Sequence, residues 1–595
     1  MKVSPEVMIG NFAIARGLVE AGLELAAAYP GTPSSEILPG VVEFNRREKG
    51  NIHAEWSTNE RCAMEVAFGA ALSGRKAVCM MKQVGLNVAF PPLLRGRGKR
   101  LEGALVIVCC DDPGPQSSQT EQDTRLLCAL FDIPVFDPAS PKEAGDIAYY
   151  ALEYSSRRKT PVIIRSTHRV SHAREAIELY KPGTRKVRLE EGLKLKGGRK
   201  LGIVTAGMSH AITMDVVSEL GLSNQVSLYK VVQVFPLRER FKVFVESVDH
   251  IVVVEETDST LEMLMGNGNK VFGRANGYVP GAGELTYDVV RGIVERIAEE
   301  IGIGKKAFAP DLHIEEALQG VTIPPRPPKL CAGCSHRASF HAMSYAYPEA
   351  IFPGDIGCYT LGIAQGAVDT CIDMGGGVTL AAGFYDTFSQ DSNVIPILAS
   401  VGDSTFFHAC LPPLYDAVQK RKKFTLVILD NSTTAMTGMQ PTPQSGVTAD
   451  GTHGNSLKIE DVVKGFGVEF LRVLDPYDLS LMMHTLKDAQ AYLAGKDSAP
   501  AVIIARRVCL LSGKGKDHQF LESIDLEEDC TGCKTCITGF GCPALSFDEE
   551  KKKVKIDDAL CIKCGICLYV CPRNEKGKSL SMFKGKRTPK RPAQN

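Results

Sequence analysis

Val401-Gly402-Asp403-Ser404 and Leu429-Asp430-Asn431-Ser432-Thr433 are the two segments on which the reading of this chain turns. Each follows an apolar run rich in β-branched residues: Val394-Ile395-Pro396-Ile397-Leu398 before the first, Phe424-Thr425-Leu426-Val427-Ile428-Leu429 before the second. Short runs of this kind read as buried parallel strands. The Gly-Asp-Ser and Asp-Asn groups then lie just past strand C-termini, where open α/β sheets bind ligands. A small residue lets a phosphate approach the backbone, the aspartate supplies an anionic oxygen, and the asparagine adds a neutral one. That set suits Mg2+, which takes oxygen ligands and shares its shell with phosphates. Twenty-five residues separate Ser404 from Asp430, room for one crossover helix over about Ala409–Gln419.

The pair resembles the motif of the thiamine diphosphate enzymes, which is Gly-Asp-Gly, a spacer of this length, then Asn-Asn. The resemblance implies bound thiamine diphosphate and Mg2+, with Gly402 and Ser404 beside the cofactor. It makes Asp403 and the Asn431 side chain metal ligands and the Thr433 carbonyl the third. The chain departs twice, with Ser404 for the last Gly and Asp430 for the first Asn. Neither change removes an expected side-chain ligand.

A chain of 595 residues calls for several domains. Its 69 basic and 69 acidic residues cancel, so no overall field favours nucleic acid or an anionic membrane. No apolar run approaches the roughly 20 residues needed to span a bilayer. The N-terminus, Met1-Lys2-Val3-Ser4-Pro5-Glu6, lacks a signal-peptide pattern, so a cytoplasmic enzyme is expected. With no such signal, the 19 cysteines point to metal or iron–sulfur ligation more than to disulfides.

The resemblance to the thiamine enzymes implies the fold class α/β, with two doubly wound, transketolase-like domains, a small transketolase-C-like domain and a C-terminal α+β ferredoxin domain. Residues 1–187 form the first α/β domain. Its expected elements are helices over Ala13–Ala28 and Asn59–Ser73 and strands at Ala77–Met81, Ala104–Cys110 and Pro161–Arg165. Between them, Ser34 or Ser35 is placed to cap a helix after the Tyr29-Pro30-Gly31-Thr32-Pro33-Ser34-Ser35 turn. Glu190–Lys200 has the composition of a linker. The small domain, 198–304, opens with a strand at Leu201–Thr205 and a helix near Met214–Leu220, and has a strand at Ile251–Glu255. Ile323–Pro328 is a stiff proline linker. Domain 326–515 carries the opening motif, 520–583 is dense in cysteine, and 584–595 is a basic, unstructured tail.

The cysteine-dense segment reads Cys530-x2-Cys533-x2-Cys536-x5-Cys542-Pro543, then Cys561-x2-Cys564-x2-Cys567-x3-Cys571-Pro572. This matches the two-cluster bacterial ferredoxin pattern, with five residues before Cys542 where three are usual; in that pattern a tight loop offers three thiolates to one cubane and the remote cysteine before proline serves the other. One [4Fe-4S] cluster is therefore expected on Cys530, Cys533, Cys536 and Cys571, the other on Cys561, Cys564, Cys567 and Cys542. The alternative is structural zinc, which also uses Cys-x2-Cys pairs. Cys331-Ala332-Gly333-Cys334-Ser335-His336-Arg337, Cys358 and Cys509 resemble the set that holds a proximal cluster in pyruvate:ferredoxin oxidoreductases. The alternative is that these are core cysteines. His336 is a candidate contact of the diphosphate.

Thiamine also needs a carboxyl group beside its aminopyrimidine ring, from a domain other than the one holding the diphosphate. Glu60, at the start of a helix, is the candidate, with Glu65 second. In the 2-oxoacid:ferredoxin oxidoreductases a Tyr-Pro-x-Thr-Pro-Ser-Ser turn precedes such a Glu, and Tyr29–Ser35 with Glu60 matches it. By that resemblance Thr32 contacts the substrate, and Lys82-Gln83-Val84-Gly85-Leu86-Asn87 lines the same cleft. Across nearly its whole length the chain resembles the large (α) subunits of the indolepyruvate:ferredoxin oxidoreductases. The segments that carry this are Tyr29–Ser35, Met81–Asn87, Cys331–Arg337, Asp355–Gly362 and Asp430–Gly438.

The resemblance implies oxidative decarboxylation of aryl 2-oxoacids with coenzyme A, giving acyl-CoA and CO2. Electrons would leave through the [4Fe-4S] clusters to external ferredoxin. It also implies a smaller β subunit, in a heterodimer or an α2β2 assembly. Three rivals stand beside it: another 2-oxoacid (pyruvate, branched-chain, 2-oxoglutarate or phenylglyoxylate), a non-oxidative thiamine decarboxylase with a structural ferredoxin module, and an electron-transfer subunit with no chemistry of its own. No Gly-x-Gly-x-x-Gly follows a strand, which argues against direct NAD use.

Overall fold

The run Ala104–Asp111 is buried along its whole length and pairs in parallel on both sides, with Lys76–Lys82 and Val162–Thr167. Each fully buried Val, Leu or Ile in such a strand stabilises the fold by about 1.5–3 kcal/mol. The computed structural model describes residues 2–96, 98–266, 270–304, 312–322, 327–390, 395–512, 521–526, 530–572 and 583–587. The chain divides into two units, Met1–Thr322 with Thr448–Thr452, and Ile323–Val447 with His453–Asn595.

In the first unit a seven-stranded sheet runs in the order Gln233–Phe235, Val135–Phe136, Val162–Thr167, Ala104–Asp111, Lys76–Lys82, Leu25–Ala28, His53–Trp56. All neighbours are parallel except the first pair. Strand order reverses between Leu25–Ala28 and Lys76–Lys82, which places a crevice beyond their C-terminal ends. A five-stranded sheet follows in the order Val271–Phe272, His250–Val254, Leu201–Ala206, Ser227–Val231, Gly192–Lys196. Buried charges tie the two sheets together. Arg165 bonds Asp111 at 2.8 Å and Asp137 at 3.2 Å, while Arg125 bonds Asp123 at 2.6 Å and lies 3.2 Å from Glu255. Asp123 also accepts the Thr257 and Asp258 amides.

Several local expectations are corrected. The helix expected over Ala13–Ala28 ends at Glu20, and Leu25–Ala28 is a strand. Gly22, at φ 81°, turns the chain, and pairing on both edges overrides the helical preference of the alanines. Within the presumed linker Glu190–Lys200, Gly192–Lys196 is an antiparallel edge strand of the second sheet. Neither Ser34 nor Ser35 caps the helix Ile37–Glu48; Ser34 Oγ donates to the Gly31 carbonyl instead. The helix expected near Met214–Leu220 spans Met208–Glu219. The helix Glu60–Leu72 forms as expected, with Asn59 as its N-cap accepting from Cys62 N at 2.9 Å.

In the second unit four parallel strands lie in the order Leu398–Gly402, Thr425–Asp430, Ala501–Arg506, Leu471–Leu474. The strand expected over Val394–Leu398 thus begins where that run ends, and Val394 lies outside the described residues. One turn of π-helix, Phe406–Cys410, precedes the crossover helix Leu411–Gln419. The cysteine-dense module contributes short helices Thr535–Thr538 and Cys567–Val570 and the hairpin Leu545–Asp548 with Lys553–Ile556. Its Phe540 and Val570 share one core with Phe340, Met343 and Leu429. Of the basic tail, Phe583–Arg587 includes the first residues and pairs antiparallel with Leu521–Leu526. Residues 588–595, and 323–326 of the proline linker, lie outside the described residues. Among the described residues no helix is long and apolar enough to cross a membrane.

Candidate active site

The second unit brings Asp403, Asp430 and Arg506 to the C-terminal ends of three adjacent strands. Asp430 is fully buried and fully answered. Arg506 Nε donates to it at 2.6 Å, Gln444 Nε2 donates to both oxygens at 2.9 Å, and Ser432 N donates at 3.0 Å. Asp403 is equally buried, but its Oδ2 has no hydrogen-bond partner. Burial, then the charge of Asp430, pushes its carboxyl well above the usual range. That oxygen carries its charge readily only with a cation beside it.

Asn431 completes the set. Its Nδ2 lies 3.2 Å from His336 Nε2, and its Oδ1 accepts from Thr433 N at 3.2 Å. An amide nitrogen only donates, so His336 accepts and carries its proton on Nδ1. Burial draws His336 down to about 4, which keeps it neutral. His336, read from sequence as a diphosphate contact, is thus placed on Asn431, where it orients the amide. Ser404 Oγ accepts from Thr434 Oγ1 at 2.9 Å. Gly402 has a steric reason: a Cβ there would meet the Tyr359 ring at 2.5 Å. Tyr359 in turn bonds the buried Asp355 and Thr405. Asp355, raised to about 7 by burial, accepts Gly375 N at 2.8 Å. Sequence reading assigned no role to Asp355, Tyr359 or Arg506. The one signal for Arg506 was Asp430 itself, an acid in place of an amide that needs a cation when buried.

Two groups of cysteines come together in the C-terminal module. An apolar chamber is lined by Cys542, Cys561, Cys564 and Cys567, with Ile524, Phe540 and Ile562 among its walls. Burial, then the thiols of Cys533, Cys530 and Cys571, pushes Cys536 up to about 12. These are the two sets expected from the ferredoxin pattern, and the donor chemistry of each fits a [4Fe-4S] cluster. Burial, then the thiols of Cys334, Cys509 and Cys331, likewise pushes Cys358 up to about 12. The fourth member of that set, Cys509, donates its N–H to the Asn431 carbonyl at 3.0 Å. Among the described residues no three His, Cys, Asp or Glu side chains converge on a single-ion site.

The segment Cys331–Arg337 joins the two regions. Through His336 it touches Asn431, and through Ala332 and Gly333 it lines the four-thiol chamber. Arg337 anchors it by donating to the Phe540 carbonyl at 2.9 Å and the Gly541 carbonyl at 2.6 Å. Gly333, at φ 66°, has no room for a side chain, since a Cβ would meet Ile562 at 2.1 Å.

In the first unit Glu60 is buried, whereas Glu65 is exposed and paired with Arg61 at 3.0 Å. Glu60 lies against Gly85, where a Cβ would meet its Oε1 at 2.5 Å. The Thr32 carbonyl accepts from Ser117 Oγ at 3.2 Å, and the Ser117 carbonyl accepts from Lys82 Nζ at 2.7 Å.

Three family models match the chain. Residues 16–238 match the thiamine diphosphate-binding domain of pyruvate flavodoxin/ferredoxin oxidoreductases, 355–505 the C-terminal binding domain of thiamine pyrophosphate enzymes, and 523–582 a 4Fe-4S dicluster domain. The fold and the site therefore define a thiamine-dependent, iron–sulfur 2-oxoacid oxidoreductase of mixed α/β architecture. Indolepyruvate oxidoreductase subunit IorA of Archaeoglobus fulgidus is 38% identical, over 95% of this chain and 96% of its own length. Those of Thermococcus kodakarensis and Methanothermobacter marburgensis are 36% and 34% identical at the same coverage. The chain belongs to this family, the IorA subunits of the indolepyruvate oxidoreductases.

Proposed function

We propose that this chain carries the thiamine site and the electron path of an enzyme that converts an aryl 2-oxoacid and coenzyme A to acyl-CoA and CO2. Two electrons leave singly to external ferredoxin. The observation that carries the reading is the segment Cys331–Arg337, seven residues that contact both the carboxylate–amide anchor and the four-thiol chamber. A decarboxylase with a merely structural ferredoxin module has no need for that link. The aryl substrate and the smaller partner subunit, in an α2β2 assembly, rest on the relatives, which are named as indolepyruvate oxidoreductase subunits.

Asp403, the Asn431 Oδ1 and the Thr433 carbonyl would hold Mg2+ and, through it, the diphosphate. Bound thiamine diphosphate supplies the electron sink that lets CO2 depart. Glu60 would supply the carboxyl that the aminopyrimidine needs, and Gly85 leaves that carboxyl its space. His336 keeps the Asn431 oxygen turned away from itself and toward the Thr433 loop. Asp430, already neutralised by Arg506, holds the loop and leaves Asp403 as the one anionic ligand. Cys530, Cys533, Cys536 and Cys571 would hold one [4Fe-4S] cluster, and Cys542, Cys561, Cys564 and Cys567 the second. Cys331, Cys334, Cys358 and Cys509 would hold a proximal third.

The test is anaerobic viologen reduction by this chain with its partner subunit, screened over indolepyruvate, phenylpyruvate, pyruvate and 2-oxoglutarate. Reduction that requires both an aryl oxoacid and coenzyme A is the expected result. Aldehyde formation without dye reduction would overturn the oxidative reading. Iron near eight atoms per chain in place of twelve would remove the proximal cluster.

A further inference from the structure

We propose that Lys82 binds the carboxylate of the 2-oxoacid substrate. The assignment rests on the reaction proposed above and adds a residue that decides which substrates enter it. Lys82 ends the strand Lys76–Lys82, at the point where strand order in the first sheet reverses. Three strand-end segments meet there. The turn after Leu25–Ala28 packs on the Lys82 stem at Gly31, where a Cβ would lie 2.8 Å from Lys82 Cβ. The loop after Ala104–Asp111 offers the Ser117 carbonyl to Lys82 Nζ at 2.7 Å, and Ser117 Oγ reaches the Thr32 carbonyl. The third segment is that of Lys82 itself, and one helical turn on it brings Gly85 against Glu60.

The charge is available. Lys82 makes no ion pair among the described residues. The carboxylate acting on it, Asp112, is already engaged by Ser117 N at 2.8 Å, Ser118 Oγ at 2.7 Å and His168 at 3.3 Å. Burial draws Lys82 down to about 8 against the pull of Asp112, as expected of a half-buried ammonium without a full counter-charge. A bound carboxylate would supply that counter-charge. The same contact sets its own kinetic signature. Lys82 would hold the carboxylate alike in the bound acid and in the transition state, so the contact is uniform binding. Removing it therefore raises KM and spares kcat.

The experiment uses the complete enzyme with its partner subunit, under anoxia, and the 2-oxoacid the wild type turns over fastest. K82M keeps the aliphatic stem against Gly31. It is expected to raise KM for the oxoacid roughly 10- to 100-fold, the worth of one charged hydrogen bond. Turnover at saturation, KM for coenzyme A and the affinity for thiamine diphosphate stay as in the wild type. Inhibition by the uncharged methyl ester of the same acid is equal in both, and K82R restores most of the lost affinity. An unchanged oxoacid KM in K82M overturns the assignment, as does a loss confined to coenzyme A or to thiamine diphosphate. Should K82M fail to fold, K82Q and K82R carry the same comparison. A wild-type enzyme inert toward every 2-oxoacid overturns the underlying reading instead, so the two failures are distinct.

Discussion

Arg506 Nε donates to Asp430 Oδ2 at 2.6 Å, and this pair separates the roles of the two buried acids in the anchor. Asp430 is neutralised from within the protein; Asp403, one strand away, is not. A metal placed between them would be drawn to Asp403.

The pair also makes a stability prediction. Arg506→Met leaves Asp430 buried without its cation and should cost about 3 kcal/mol, as for breaking one side of a buried pair. Asp430→Asn in the same chain should recover most of that loss, because the partner left behind is then neutral. Urea unfolding of the single and double variants measures it. Equal losses in both would show that Arg506 acts through Glu460, 2.6 Å away, and not through Asp430.

Asp403→Asn removes the anionic ligand proposed above and an unpaired buried carboxyl oxygen together. The cofactor-free protein should melt no lower than the wild type. The rise in melting temperature on adding Mg2+ and thiamine diphosphate should vanish. A rise of wild-type size would move the metal elsewhere.

Glu60→Gln should lower oxoacid-dependent viologen reduction at least roughly 100-fold, the usual range for losing a proton-transfer group. The iron–sulfur absorbance should stay intact. Gly85→Ala should act through the same carboxyl, since its methyl would press on Glu60. A tenfold or greater loss of turnover is expected there, with little change in melting temperature. If Gly85→Ala is silent, Glu60 has room to move and its position is not critical.

His210 supplies a pH test away from the reaction. It lies buried with Nδ1 2.9 Å from Thr205 Oγ1, and burial, then Lys230 and Lys194, pushes it down to about 3. The unfolded chain binds this proton near pH 6.5 and the folded chain near 3. The contribution of His210 is therefore complete above pH 6.5 and is lost as pH falls toward 3. The slope is up to about 1.4 kcal/mol per pH unit. His210→Gln should flatten the acid-side loss by that one proton in unfolding midpoints taken from pH 7 to 4.

What could be read in advance followed from local rules. The β-branched run before Asp430 announced a parallel strand, whereas the run before Gly402 ends where its strand begins. Cysteine spacing sorted eight thiols into two sets because the length of chain between ligands limits which corner each can reach. Leu25–Ala28 escaped because alanine has no strong strand preference and is extended here only through its two neighbours. Gly192–Lys196 escaped because an exposed edge strand carries little apolar signal.

Sequence alone therefore determined the family and supplied the proposed residue types of the anchor and the two ferredoxin thiol sets. Each depends on spacing measured along the chain. Tertiary structure alone decided which acid is free, what His336 touches, and that Cys331–Arg337 joins the anchor to the thiol chamber. Arg506 meets Asp430 across 76 residues, and Phe540 accepts from Arg337 across 203. Contacts at that separation depend on how strands and modules stack, which no local pattern encodes.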